Sequence, residues 1–287
     1  MLKRVIVFHA PQSEGAAVFA GQLAIEFKRR EVEVLVADVW EPAPTAAIEA
    51  ADLVVSVGGD GTVLRAARIL VPHPVPILGV NMGRLGFLTG MSPRDFFNHL
   101  ERILAQDWRI DERVMVRADV ADPPAGVQPT CHGLNDVVMS HRAPGRPIYV
   151  EMTIDGARVA VYRCDGIIVA TPTGSTGYSL SAGGPILTPT EHHLVVTPVS
   201  AHLALGRSLV LQPDSVVDLR VTSDDGAILS VDGQDDVVLP VGATVRVRMS
   251  EYRARFVSFR DPTSFYSDLA QKLEFQLSST MNPSQRA

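Results

Sequence analysis

Residues 53–67, LVVSV-GGDGT-VLRAA, have the pattern of a strand, a glycine-rich turn and a helix. The apolar run Leu53–Val57 is typical of a buried strand, the turn Gly58–Thr62 is rich in glycine, and Val63–Ala67 is helical in pattern. This order favours an anion site, because a helix N-terminus offers unpaired amides and the positive end of its dipole. Glycines also let the main chain approach an anion with no Cβ in the way. The sequence therefore predicts a phosphate-binding loop between a strand and a helix.

An acidic residue, Asp60, lies among the expected phosphate donors of this loop. Its carboxylate would repel an anion unless a hydroxyl or a metal stood beside it, which favours a role as acceptor for a reacting hydroxyl. The alternative is an ordinary turn, since Asp-Gly pairs recur in the chain. Arg65 is close enough along the helix to reach a phosphate, and a solvated arginine is the alternative there. The expected binding residues of this loop are Gly58, Gly59, Gly61, Thr62 and Arg65.

The first third of the chain alternates between strand-like and helix-like patterns, which predicts an α/β domain over residues 1–110 with a parallel sheet. The expected strands are 4–8, 32–39, 53–57 and 75–80, and the expected helices are 14–30, 62–70 and 93–105. Ser92 is a natural N-cap for the last of these helices.

Short strands separated by turns predict a second, mostly β domain over residues 111–260. One expected hairpin joins 150–154 to 157–163 through Asp155-Gly156, and a second joins 216–221 to 227–231 through 224–226. A helix is expected over 262–277 within a C-terminal segment, 261–287, that packs back on the first domain.

Composition excludes several classes of protein. The 287 residues carry 26 basic and 32 acidic side chains, a net charge of −6, which argues against a nucleic-acid partner. No apolar run approaches the roughly 18 residues of a membrane span. The apolar run at the start of the sequence is too short for a signal peptide. With two cysteines there is neither a disulfide framework nor a cysteine-rich metal site. A cytoplasmic protein without a membrane partner is expected.

Several phosphate and nucleophile motifs are missing from the sequence. No lysine lies in a glycine-rich loop, so a Walker-A loop is excluded, and the Gly-x-Gly-x-x-Gly pattern of Rossmann folds is absent. The nearest match to a nucleophile elbow has Thr173 in place of its first glycine, which disfavours a serine hydrolase.

A second loop, residues 171–185, consists mostly of glycine, serine and threonine and follows the apolar strand Ile167–Ala170. Its dense hydroxyls and amides suit close contact with a polar ligand such as a nucleotide. A flexible linker is the alternative.

Five motifs follow one another along the chain: GGDGT at 58–62, NMGRLGFL at 81–88, LND at 134–136, the second loop, and DGQ at 232–234. Taken in this order, they resemble the motifs of NAD kinases over nearly the whole chain. The first motif alone is shared with diacylglycerol-type lipid kinases and phosphofructokinases, whereas the second loop together with the pair Asn135-Asp136 is more specific. The resemblance implies an NAD kinase/diacylglycerol kinase-like fold.

The same resemblance implies transfer of a phosphoryl group from ATP or polyphosphate to the 2′-hydroxyl of the adenosine ribose of NAD, giving NADP. Asp60 would match the proton acceptor, a divalent metal such as Mg²⁺ would take part without directly assigned ligands, and the protein would be a homodimer or homotetramer. Gly177 stands where alanine is usual, and Asp136 where glutamate is commoner. The ligand-binding positions carried over are Phe87, Asn135, Asp136, Arg146, Arg163, Asp165, Thr173, Thr176, Gly177, Tyr178, Ser179, Leu180, Ser181 and Gln234.

Other functions stay open at this point. A lipid kinase of the diacylglycerol class would share the glycine loop but would not need Asn135 and Asp136. An NAD-phosphate or sugar phosphatase would release phosphate without ATP. A non-catalytic dinucleotide sensor would keep the second loop and tolerate the loss of Asp60.

Overall fold

The computed structural model describes residues 1–41, 43–83, 86–123, 126, 128–142, 146–201, 206–259, 265–266 and 269–270, with the backbone alone at residue 235. The chain divides into two compact units. The first comprises Met1–Ala66, Val75–Asp111 and Arg255–Ala287, and the second Ala67–Pro74 and Glu112–Ala254. Within the described ranges, no helix has both the length and the apolar character needed to cross a membrane.

The first unit is built on a parallel sheet in the order β2-β1-β3-β4. Its strands are β1 (Arg4–His9), β2 (Glu33–Asp38), β3 (Leu53–Gly58) and β4 (Ile77–Asn81). The helices are α1 (Glu14–Lys28), α2 (Thr45–Glu49), α3 (Asp60–Ile69), α4 (Pro93–Asn98) and α5 (Leu100–Ala105), with the end of α3 in the second unit. The expected α/β class is confirmed.

Apolar spacing and caps explain the helices of this unit. Helix α1 buries Phe19, Leu23 and Phe27 at helical spacing, and the Ser13 hydroxyl accepts a bond from the amide of its first turn. Ser92 forms a capping box with Asp95 at the start of α4, as expected of an N-cap. The single helix expected over 93–105 is wrong, because it breaks at His99. There the Nδ1 atom of His99 lies 2.9 Å from the Asp95 carbonyl oxygen and competes for the helical acceptor.

The second unit is a sandwich of two antiparallel sheets. One contains β5 (Arg109–Val120), β6 (Thr130–Gly133), β8 (Ile148–Ile154), β9 (Ala157–Cys164), β13 (Val217–Val221) and β16 (Thr244–Ser258). The other has the order β12-β11-β10-β7-β14-β15. Its strands are β7 (Asp136–Ser140), β10 (Gly166–Ala170), β11 (Val195–Val199), β12 (Leu209–Val210), β14 (Ala227–Val231) and β15 (Gln234–Leu239).

One apolar core fills the space between these two sheets. Val150, Met152 and Leu219 point into it from the first sheet, and Met139 and Val169 from the second. All five are fully buried. Strands β8 and β13 alternate between buried and more exposed residues, whereas β10 is buried along its whole length. The expected mostly β second domain is confirmed.

The second expected hairpin is wrong. Strand β13 pairs with β8 and β16 in one sheet, whereas β14 pairs with β7 and β15 in the other. Residues 222–226 therefore cross from sheet to sheet, and five extended residues can span about 17 Å, more than the roughly 10 Å between packed sheets. The hairpin at Asp155-Gly156 is confirmed, with both residues at positive φ.

The end of the first unit lies partly outside the described residues. The end of β16 pairs with β4 through Phe256 and Ile77. Of the helix expected over 262–277, the structure describes 265–266 and 269–270, which are helical, and the rest of segment 261–287 lies outside the described residues.

Candidate active site

The glycine loop lies at the carboxyl end of the parallel sheet, where ligands bind in open α/β folds. Strand β3 ends at Gly58, and α3 begins two residues later at Asp60. The Thr62 amide donates to the Gly59 carbonyl at 3.1 Å and closes the first turn. The amides before it are the ones that a helix leaves without an internal acceptor, and the flanking Gly59 and Gly61 are exposed. The strand, glycine turn and helix are thus present in the expected order, and phosphate binding by this loop stays a prediction.

The Asp60 carboxylate is fixed by main-chain amides of the segment after β4. Its Oδ2 accepts from the Phe87 amide at 2.7 Å, and its Oδ1 accepts from the amides of Leu88 at 3.0 Å and Thr89 at 3.2 Å. The Thr89 hydroxyl lies 3.4 Å from Oδ1. A carboxylate has about four lone-pair positions, so Oδ2 has room for one more donor beside the amide that the described residues supply.

Gly86 allows this contact, because a Cβ there would lie 2.1 Å from the Asp60 Oδ1. The half-buried Phe87 is held beside Asp60 by its amide. Arg65 lies with its guanidinium carbon 4.8 Å from the centre of the half-exposed Trp40 ring, a cation–π contact that orients it. The motif at 81–88 thus contacts Asp60 through the main-chain amides of Phe87 and Leu88. These contacts do not depend on side chains, so the sequence does not reveal them.

In the second unit, three segments meet at one edge of a sheet because of strand register. Asp136 at the start of β7 pairs with Ala170 at the end of β10, and Val137 pairs with Val231 at the end of β14. The residues just beyond those strand ends are therefore neighbours. The Thr171 amide donates to the Asn135 carbonyl at 2.8 Å, and the Asp232 amide donates to the Asp136 carbonyl at 3.0 Å.

Two buried side-chain oxygens at this edge lack a hydrogen-bond partner among the described residues. They are the Asn135 Oδ1 and the Thr173 Oγ1. Leaving such an atom unpaired costs about 1–3 kcal/mol, so native proteins pair them with protein, water or ligand. This edge is therefore suited to a polar ligand.

The second loop packs closely against this edge and is not a loose linker. Its 3₁₀ turn, Gly174–Thr176, is followed by α6 (Tyr178–Ser181). A Cβ at Gly174 would lie 2.1 Å from the Asn135 carbonyl oxygen, so only glycine fits. The Thr176 hydroxyl donates to the Thr173 carbonyl at 3.1 Å.

The remaining expected residues of this loop differ in exposure. Tyr178 and Ser181 are exposed, and Gly177 and Leu180 are half-buried. The buried Ser179 hydroxyl lies 3.1 Å from the Thr197 Oγ1, so it is used inside the unit.

The buried carboxyl of Asp136 has a strongly raised pKa. Burial raises its pKa to about 7, and the negative charge of nearby Asp232 adds to the rise. Only 6% of Asp136 is exposed. The side chain therefore changes charge near neutral pH.

The other expected binding residues of this unit lie on different segments and have different surroundings. Arg146 pairs with Asp225 at 3.1 Å beside a cavity of about 390 Å³ that His141 and Tyr149 also line. Arg163 is exposed on β9, and the half-buried Asp165 follows it. The Gln234 Oε1 accepts a bond from Arg68 at 3.0 Å.

Sequence reasoning missed three residues that organise these sites. They are Thr89, Arg68 and Asp232, the last of which accepts three main-chain amides. The DGQ motif was the signal that could have pointed to Asp232. As for metals, the described residues contain no group of three or more His, Cys, Asp or Glu side chains that could hold an ion.

Comparison with known families identifies both parts of the chain. Residues 11–108 match the model of the ATP-NAD kinase N-terminal domain, and residues 134–259 match that of the ATP-NAD kinase C-terminal domain.

Curated relatives extend the match along the chain. The NAD kinase of Dehalococcoides mccartyi is 36% identical over 275 residues, which cover 96% of this chain and 97% of the relative. That of Heliobacterium modesticaldum is 44% identical over 224 residues, 78% of each chain.

Two solved structures share the fold. An NAD kinase from Archaeoglobus fulgidus in complex with ATP has a TM-score of 0.75 and 30% identity, and the match covers 90% of this chain and 95% of that one. Yeast NADH kinase complexed with NADH has a TM-score of 0.83 at 22% identity, over 91% and 84% of the two chains, a likeness of fold alone.

An α/β unit with a glycine loop and a β-sandwich unit with a second polar loop define a kinase of small molecules. The chain belongs to the NAD kinase family. The enzyme class expected from sequence is confirmed, and these matches do not favour a lipid kinase or a non-catalytic sensor.

Proposed function

We propose that the protein transfers the γ-phosphoryl group of ATP to the 2′-hydroxyl of the adenosine ribose of NAD, giving NADP and ADP. The new bond joins the ribose 2′-oxygen to the γ-phosphorus, and the bond from that phosphorus to the β,γ-bridging oxygen breaks. The hydroxyl proton passes to Asp60. The observation that supports this role is the fixed Asp60 carboxylate, whose Oδ2 accepts a single hydrogen bond from the described residues.

The glycine loop receives the donor in this proposal. The main-chain amides at Gly59 and Gly61 offset phosphate charge, helped by the positive end of α3 and by Arg65. The relative from Archaeoglobus fulgidus, described in complex with ATP, supports ATP as a donor. Phosphoryl transfer needs positioning and charge neutralisation more than covalent chemistry, and such positioning can supply about 7–11 kcal/mol.

The described side chains do not themselves form a metal cage. Mg²⁺ is usually bound through one or two carboxylates together with substrate phosphates and water. We therefore propose that a divalent ion enters with the donor phosphates, and the role of Asp60 does not depend on it.

The acceptor is bound by the second unit in this proposal. The Asn135 amide can pair with an adenine edge, and the Asp136 carboxylate can accept from ribose hydroxyls. The unpaired Oδ1 of Asn135 and Oγ1 of Thr173 support a polar ligand at this edge. Phe87, Arg146, Arg163, Asp165, Thr176, Tyr178, Leu180 and Ser181 are proposed further contacts, whereas Ser179 and Gln234 already have internal partners.

One assay tests the reaction. The purified protein is incubated with NAD and Mg²⁺ plus either ATP or polyphosphate, and NADP is detected with an NADP-specific dehydrogenase. We expect NADP with ATP, and the polyphosphate reaction shows whether that donor is also used. No NADP from either donor, with NAD binding intact, would contradict the proposal. Light scattering on the same sample tests the proposed homodimer or homotetramer.

The affinity for NAD is expected to depend on pH through Asp136. Since burial raises the pKa of Asp136 to about 7, and ribose hydroxyls are best accepted by the ionised form, NAD binds better as pH rises through 7. With that pKa, linkage predicts binding about tenfold weaker at pH 6 than at pH 8. Calorimetric titration of NAD at both pH values measures the ratio.

The control for this prediction is Asp136→Asn, which does not titrate in this range. We expect its NAD affinity to be weaker and nearly the same at pH 6 and pH 8. The same pH dependence in wild type and variant would remove Asp136 from NAD binding.

A further inference from the structure

The carboxylate of Asp232 accepts three consecutive main-chain amides from another part of the second unit. Its Oδ2 accepts from the Leu134 amide at 2.8 Å, and its Oδ1 accepts from the amides of Asn135 at 2.7 Å and Asp136 at 3.1 Å. Asp232 is 8% exposed. A buried carboxylate with three amide donors fixes the path of the main chain that supplies them.

Asp232 is held in this position by its own hairpin. It is the first residue of the turn between β14 and β15, where Asp232 has φ 56° and Gly233 has φ 66°. The Asp232 amide donates to the Asp136 carbonyl, so the two segments are joined in both directions. Aspartate and asparagine tolerate this left-handed conformation better than most residues.

Arg68 completes the arrangement. Its Nη1 donates to the Val231 carbonyl at 3.3 Å and to the Gln234 Oε1 at 3.0 Å, on either side of the turn. Burial raises the pKa of Asp232, and the three amides and the positive charge of Arg68 oppose that rise. The three amides and Arg68 thus favour the ionised form of Asp232 against the effect of burial.

We propose that Asp232 is the positioning residue of the NAD kinase reaction that sets Asn135 and Asp136 in place for the dinucleotide. The inference rests on the proposed roles of those two residues in NAD binding. Asp232 acts through their main chain and touches neither substrate.

The test compares Asp232→Asn and Asp232→Ala with the control Asp155→Asn. Asp155 has the same left-handed turn conformation before a glycine, and it accepts the Val216 amide at 2.8 Å, but it is exposed at another hairpin. We expect Asp232→Ala to raise KM for NAD at least tenfold and Asp232→Asn to raise it less, since one oxygen remains. KM for ATP should change less than twofold, and Asp155→Asn should leave both constants unchanged.

A general structural role would instead lower the fraction of active enzyme, and so lower kcat with both KM values unchanged. That result would overturn the proposal. Amide hydrogen exchange on the wild-type protein gives a second test that no variant can obscure by misfolding. We expect the amides of Leu134, Asn135 and Asp136 to exchange as slowly as those in the rest of β7, and rapid exchange at these positions would overturn the anchoring.

Failure of the inference is distinguishable from failure of the proposed NAD-binding roles. If Asp136→Asn raises KM for NAD and Asp232→Ala does not, Asp232 is not a positioning residue. If Asp136→Asn leaves KM for NAD unchanged, the proposed role of Asp136 fails, and with it the positioning of that residue.

Discussion

Replacing Asp60 with asparagine is expected to reduce kcat for NADP formation by about 10²- to 10⁴-fold, the usual contribution of a positioned base. An asparagine oxygen can still accept from the Leu88 and Thr89 amides that now reach Oδ1. The amide nitrogen in place of Oδ2 cannot accept a proton from the ribose hydroxyl. NAD should still bind within a few-fold, because Asn135 and Asp136 are unchanged and only the Phe87 amide loses its acceptor. Steady-state rates and NAD titration measure the two effects.

A control variant distinguishes two roles of Asp60, holding the segment 87–89 in place and accepting the ribose proton. Thr89→Val removes the hydroxyl 3.4 Å from the Asp60 Oδ1 and keeps the carboxylate. We expect its kcat to stay within about threefold of wild type, since one weak contact is lost. An Asp60→Asn enzyme that keeps most of its turnover would remove Asp60 from the mechanism. Equal losses in both variants would assign Asp60 to loop structure instead.

Gly174→Ala is expected to weaken NAD binding by about 10- to 100-fold. The new Cβ would lie 2.1 Å from the Asn135 carbonyl oxygen, so two main-chain segments must separate. Overpacking of this kind costs about 1–3 kcal/mol, and each 1.4 kcal/mol is tenfold in affinity. Separation would displace both Asn135 and Thr173. Calorimetric titration of NAD gives the affinity, and thermal melting confirms that the variant is folded.

Gly177→Ala is the matched control in the same loop. Its Cβ would lie 3.3 Å from the Gly174 carbonyl oxygen, a contact that a shift of a few tenths of an ångström relieves. It also introduces the residue that is usual in the family. We expect its NAD affinity to stay within about threefold of wild type. Equal effects of the two substitutions would show that the close approach at Gly174 does not shape the NAD site.

Local patterns in the sequence were sufficient to predict most elements of the fold. The strand Leu53–Gly58 and the helix that follows it were predictable because apolar periodicity and glycine punctuation are properties of neighbouring residues. The prediction of a hairpin over 216–231 was wrong because it, too, used only neighbouring residues. A strand-turn-strand pattern does not specify which sheet each strand joins, and that choice depends on the core between the sheets.

The sequence motifs were sufficient to propose which residues form the candidate site. They did not reveal the hydrogen-bond partners of those residues. Asp60 was singled out by its place in the glycine loop, yet its bonds to Phe87, Leu88 and Thr89 span nearly thirty residues. Asp232 lies 96 residues from Asp136, and only the register of β7 and β14 brings them together. The raised pKa of Asp136 likewise follows from burial and from that distant neighbour.

In the proposed reaction, the Asp60 carboxylate receives the proton of the ribose hydroxyl that is phosphorylated. A crystal structure with NAD and a non-hydrolysable ATP analogue would show whether the two groups meet. We expect the Asp60 Oδ2 at about 2.6–3.2 Å from the 2′-oxygen of the adenosine ribose. A 2′-oxygen held by another side chain, with Asp60 still bonded only to the amides of residues 87–89, would contradict this role of Asp60.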